Sequence, residues 1–183
     1  VIFAKRNPRM VRNLTVKPTL LLITLMGFFG PSLKALETGA PAPLVSGIDQ
    51  SGNPIHFADI YAKGTTLVFF YPKADTPGCT AQACSLRDSF ADLQGKNLQI
   101  LGVSRDSAAS QKKFQEKYQL PFPLVADADG RLAEAFGVGG VMGLPVSKRQ
   151  SFLIRDGKIV WTTPSAQTGS HAREVQEALD TLP

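Results

Sequence analysis

The stretch from Thr65 to Asp88, TTLVFFYPKADTPGCTAQACSLRD, changes character in its middle. Thr65 to Tyr71 is an unbroken run of β-branched and aromatic residues, as expected of a strand buried on both faces. Further on, Cys79, Ala83, Leu86, Phe90 and Leu93 recur at helical spacing, which predicts a helix from Cys79 to Leu93 with Cys79 opening its core-facing stripe. The two cysteines of the chain both fall in this helix. Cys79 follows Thr76, Pro77 and Gly78 at the helix mouth, where unpaired backbone N–H groups and the helix dipole favour a thiolate over a thiol. Cys84 comes five residues later and points elsewhere. In an intact helix, Cα atoms at i and i+5 are about 8 to 9 Å apart, whereas a disulfide needs them within about 7 Å. The pair therefore suits a redox reaction with a conformational step better than a static bridge.

Outward from this stretch, Leu44 to Ile48 and Pro54 to Phe57 flank the turn-rich Asp49-Gln50-Ser51-Gly52-Asn53, a hairpin signal. Leu98 to Val103 reads as a second buried strand, and Ser107 as the N-cap of a helix reaching Tyr118. A short strand at Leu124 to Ala126 and a short helix at Arg131 to Phe136 follow, and the Gly-rich Gly137 to Pro145 reads as a mobile loop. Gln150 to Ile154 and Lys158 to Thr162 flank Asp156-Gly157, a two-residue hairpin signal. Ser170 is placed to cap a last helix with Val175, Ala178, Leu179 and Leu182 on one face. This order predicts a three-layer α/β domain from Leu36 to Pro183: a thioredoxin-like fold with a central mixed β-sheet flanked by helices and an N-terminal hairpin.

The 183 residues carry a net charge of +5, but six of the 20 Lys and Arg precede Leu36 while all 15 Asp and Glu follow it. The domain itself thus has a net charge of −1, and no basic stripe interleaved with aromatics argues for a nucleic-acid partner. The early basic residues precede the apolar Leu20 to Phe29 and a small-residue region ending at Ala35, the pattern of a secretory signal peptide. The apolar run is shorter than the roughly 20 residues of a membrane span. Residues 1–35 are accordingly expected to be a cleaved signal peptide, or an N-terminal anchor if cleavage fails. The expected location is exported, in the periplasm.

Several spaced motifs resemble a peroxiredoxin of the Q type, the bacterioferritin comigratory protein family. Pro72, Thr76 and Cys79 meet the signature P-x-x-x-T-x-x-C, and Cys84, Arg87 and Asp88 its Q-type extension. Leu101 to Asp106, Leu120 to Asp127 and Ala135 to Val138 continue the match. Arg149, in the run RQSFLI, aligns with the second active-site residue of the family. Arg155 departs from the Asp or Asn often found after F-L-I.

The resemblance implies a thiol-dependent peroxidase acting on hydrogen peroxide and organic hydroperoxides, without cofactor or metal. It implies a peroxidatic Cys79, supported by Thr76 and Arg149 with Pro72 closing over the sulfur, and a resolving Cys84. It further implies a thioredoxin-like electron donor and a monomer. Arg149 suits an anionic site because its guanidinium stays charged. Two other readings compete on the same fold. An exported thiol-disulfide oxidoreductase would want its cysteines two residues apart. A copper-binding chaperone would want Cys-x-x-x-Cys and a distant His. His56 and His171 read as turn and helix-start residues, without metal-ligand spacing to another His or Cys.

Overall fold

In the computed structural model, which describes residues 36–141 and 143–182, the chain from Leu36 onward forms β1 (Ser46–Asp49), β2 (Pro54–His56), α1 (Phe57–Tyr61) and β3 (Thr65–Phe70). Next come α2 (Pro77–Asp88), α3 (Phe90–Gly95), β4 (Leu98–Ser104), α4 (Ala108–Tyr118), β5 (Leu124–Ala126) and α5 (Arg131–Ala135). The chain closes with β6 (Gly140–Val141), β7 (Leu144–Ser147), β8 (Gln150–Arg155), β9 (Lys158–Thr163) and α6 (His171–Thr181). The expected signal segment, residues 1–35, lies outside the described residues. Among the described residues, no helix is long and apolar enough to cross a membrane.

Seven strands form one mixed sheet in the order β2-β1-β5-β4-β3-β8-β9, with β3 parallel to β4 and antiparallel to β8. Successive side chains of a strand point to opposite faces. Leu67, Phe69 and Tyr71 accordingly join one core with residues of α2, α3, α4 and α6, while Val68 and Phe70 join another with residues of α1 and α5. This is the three-layer arrangement expected from the order of elements. The N-terminal hairpin is also present, its turn held by Asp49 Oδ1, which accepts from the N–H groups of Ser51 and Asn53 at 2.8 and 2.9 Å.

Three local readings change. The predicted helix from Cys79 to Leu93 starts two residues earlier, at Pro77, because proline suits the first helical position. It breaks at Ser89 into α2 and α3, although Phe90 and Leu93 still pack on the same core. Phe57 opens the unpredicted α1 instead of ending a strand, and its ring is fully buried. The Gly-rich segment read as a mobile loop folds into the β6–β7 ladder, with Gly140 opposite Ser147 and the turn eased by Gly143 at φ 75°. Ser107 caps α4 as predicted, accepting from Ser110 N–H at 3.3 Å.

Candidate active site

The site lies where β3 ends and α2 begins. Thr76 takes extended backbone as N-cap and its carbonyl accepts the N–H of Thr80 at 2.8 Å, so Cys79 is the third residue of a 12-residue helix. That position aims the free N–H groups and positive end of α2 towards its sulfur. Cys79 is only 2% exposed, while Cys84 is half-buried and both thiols are free. Because α2 is continuous between them, their Cα atoms stand about 8 to 9 Å apart, beyond bonding reach.

Arg149 comes from 70 residues away, and strand register explains how. Phe70 of β3 faces Gln150 of β8, which sets Arg149 beside the exit of β3. Its Nη2 donates to Cys79 Sγ at 3.4 Å, and its Nη1 donates to Gln82 Oε1. Gly78 makes room for the guanidinium, since a Cβ there would lie 3.3 Å from Arg149 Nη2. Thr76 is half-buried on the turn before the sulfur, where its hydroxyl donates to Lys73 O at 2.9 Å. The hydroxyl proton is thus engaged, and the oxygen keeps its two lone pairs as acceptors. Pro72 follows β3 and lines a cleft of about 220 Å³ with Lys73, Arg105, Asp106, Pro145 and Val146. Cys79 does not line this cleft. A roomier cavity of about 590 Å³ lies along β9 and takes none of these residues.

The loop carrying Pro72 is fixed by a buried polar network. The Tyr71 hydroxyl bonds Gln111 Oε1, and Gln111 Nε2 donates to Ser104 Oγ at 2.8 Å. Ser104 Oγ donates to Asp106 Oδ2 at 2.6 Å, and the same oxygen accepts the N–H of Ala74 at 2.8 Å. Burial pushes the Tyr71 phenol well above its ordinary range, so it serves as a neutral donor. On the outer side, Asp75, at φ 58°, accepts from Lys117 Nζ and from the Tyr118 hydroxyl, and these bonds hold its carboxyl below the usual range.

Sequence reasoning missed two participants. Gln82 is fully buried between Arg149 and His171, with its Nε2 3.1 Å from His171 Nδ1. His171 does start α6, as expected, but it is fully buried, edge-on to Phe69 with ring centroids 6.0 Å apart. The available signal was the i, i+3 spacing of Cys79 and Gln82, which puts them on one helix face. Ser170 does not cap α6 with its side chain; Ser85 of α2 instead accepts the N–H of Ala172 at 3.1 Å. Among the described residues, no group of His, Cys, Asp and Glu could hold a metal ion.

Residues 38–162 match the AhpC/TSA family. The chain is 40% identical over 145 residues to the peroxiredoxin Bcp of Escherichia coli strain K12, spanning 76% of this chain and 92% of that relative. The crystal structure of peroxidoxin BcpB from Mycobacterium tuberculosis matches with a TM-score of 0.75 at 32% identity, over 81% of this chain and 99% of the other. The bacterioferritin comigratory protein of Xanthomonas campestris, whose trapped intermediate and ligand complexes address its alkyl peroxide reduction activity, matches with a TM-score of 0.71 at 27% identity. That match covers 79% of this chain and 98% of the other.

Proposed function

Because the chain belongs to the AhpC/TSA family, in its Bcp and Q-type peroxiredoxin branch, and is a thiol peroxidase by that membership, we propose that Cys79 is the peroxidatic residue and Cys84 the resolving one. The observation that carries this assignment is the buried Cys79 sulfur, held at the mouth of α2 with Arg149 Nη2 3.4 Å away.

The Cys79 thiolate attacks one oxygen of hydrogen peroxide or an organic hydroperoxide. A sulfur–oxygen bond forms as the O–O bond breaks; sulfur loses two electrons, and the departing oxygen takes a proton to leave as water or alcohol. The Arg149 guanidinium stabilises the charge that builds on that oxygen. Thr76 accepts a hydrogen bond from the bound peroxide, and Pro72 limits water around the sulfur. The resulting sulfenic acid condenses with Cys84, forming a disulfide and releasing water. A thioredoxin-like dithiol then reduces the bridge through a mixed disulfide.

Condensation requires the first turns of α2 to open, since the intact helix holds the two sulfurs apart. Helix ends open at low cost relative to global unfolding. We read the enzyme as an exported monomer, the location resting on the basic and apolar pattern of residues 1–35. N-terminal sequencing of the exported protein should then begin at Leu36.

The catalytic assignment is tested by peroxide consumption with a thiol donor and on a single turnover. Cys79→Ser should consume no peroxide above background. Cys84→Ser should consume about one equivalent per chain and leave a sulfenic acid that dimedone traps. Equal loss of the first turnover in both variants would overturn the assignment.

A further inference from the structure

The site has a deeply buried imidazole that none of the steps above uses. His171 is fully buried at the start of α6, 92 positions along the chain from Cys79, yet only Gln82 and Arg149 separate it from the sulfur. The chemistry of the intervening groups fixes the direction of every bond in that chain. Arginine has donors and no acceptor, so the Gln82 atom facing Arg149 Nη1 is its carbonyl oxygen. The Gln82 amide nitrogen must then face His171, and as a donor it requires Nδ1 to be an unprotonated acceptor. The neutral ring therefore carries its proton on Nε2. That N–H is buried and finds no partner among the described residues. Leaving it unpaired costs stability that an apolar side chain of similar size would not cost. Keeping an imidazole here makes physical sense if its acceptor nitrogen does something that an apolar group cannot.

We propose that His171 is a positioning residue for peroxide reduction: by accepting from Gln82 it locks the amide so that Arg149 is held against the Cys79 sulfur. The inference rests on Cys79 being the attacking thiolate. Without an acceptor at this place, the Gln82 amide is oriented by its bond to Arg149 alone, and it turns its NH₂ group towards the guanidinium more readily. Two donors would then face each other, and Arg149 would move off the sulfur. The groups around the imidazole fit this role. Arg149 is the charged one, Gln82 supplies the donor from α2, and Phe69 of β3 offers only an apolar ring. Burial and the nearby Arg149 charge keep His171 neutral, driving it down to about 4, so it stays an acceptor at neutral pH.

The test uses the full chain carrying Cys84→Ser, so that only one thiol reacts. The pH profile of Cys79 alkylation by iodoacetamide is measured together with the single-turnover rate with hydrogen peroxide. His171→Leu should move the profile to higher pH and slow the peroxide reaction about tenfold, as expected for the loss of one site hydrogen bond. His171→Asn sets a carbonyl oxygen near the place of Nδ1 and should restore both to within about threefold of the parent. A folded His171→Leu with the parent profile and rate would overturn the proposal, as would an Asn variant as impaired as the Leu variant. A test on the unmutated chain covers the case in which His171→Leu does not fold. ¹⁵N-histidine NMR at neutral pH should show the His171 proton on Nε2, and a proton on Nδ1 would overturn the proposal. Failure here is distinct from failure of the Cys79 assignment, which would show as peroxide consumption surviving Cys79→Ser.

Discussion

The two faces of the sheet are built from different materials. The face towards α1 and α5 holds an apolar aromatic core, with the buried Asp127 serving the N–H groups of α5: Phe136 packs against Phe57, Phe70 and Phe152 with ring centroids 6.1, 5.3 and 5.2 Å away. The face towards α2, α4 and α6 has its own aromatic core but also buries Gln82, Gln111, His171 and Cys79. Apolar packing is non-directional and tolerant, whereas a buried polar group needs a partner at a defined place. One face therefore supplies stability, and the other fixes the sulfur, the guanidinium and the loop between β3 and α2. The division predicts that damage to the two faces will be read by different measurements.

The largest effect on stability should come from the apolar face. Phe136→Ala removes a fully buried ring and should cost about 3 to 5 kcal/mol in urea unfolding. Peroxidase activity per folded molecule should be unchanged, because Cys79, Gln82, Arg149 and His171 are not members of that cluster. A large fall in activity per folded molecule would break the division between the faces.

The polar face should reveal itself through acid. His171 is held down to about 4, so between its ordinary value near 6.5 and about 4 the unfolded chain binds a proton that the native chain does not. Stability is thus complete above about 6.5 and is lost as pH falls through that window, by about 3 kcal/mol at pH 4. Asp127 acts in the opposite sense, because burial raises its carboxyl despite bonds from the N–H groups of Leu132 and Ala133. Comparing the parent with His171→Asn cancels that contribution. Urea midpoints from pH 7 to 4 should fall less steeply in the variant, and parallel curves would contradict the burial of a neutral imidazole.

Much of this face is legible in the sequence, and the rest is not for a physical reason. An apolar run of β-branched and aromatic residues marks β3, and Asp156-Gly157 marks the turn that sets β9 beside β8. Cys79 and Arg149 follow from spaced motifs, and β3–β8 register brings them together. Gln82 and His171 carry no such mark. Nothing in the sequence singles out Gln82 within its helix, and His171 reads there only as a helix-start residue. Their burial is decided only when α6 returns across α2, a tertiary event with no local periodicity. The β6–β7 ladder is hidden for a related reason: its composition is that of a loop, and only pairing turns it into strands.

The smallest effect is the most specific, because it concerns how α2 lets go. Ser85 lies just beyond Cys84 and accepts the Ala172 N–H, capping α6 from a neighbouring helix. Removing a cap costs about 1 kcal/mol, so Ser85→Ala should lower global stability by about that amount. The same bond ties the resolving half of α2 to α6, and it is present only while that half stays docked. Losing it raises the docked state relative to any opened state in which Cys84 has left its place. Conversion of the Cys79 sulfenic acid to the disulfide should then quicken by up to about fivefold, read by the change in tryptophan fluorescence after one equivalent of peroxide. An unchanged rate beside the expected loss of stability would mean that Ser85 stays docked while the turns between Cys79 and Cys84 open. The mobile part of the polar face would then end before residue 85, leaving the Gln82 contact with His171 as the tie that resolution must break.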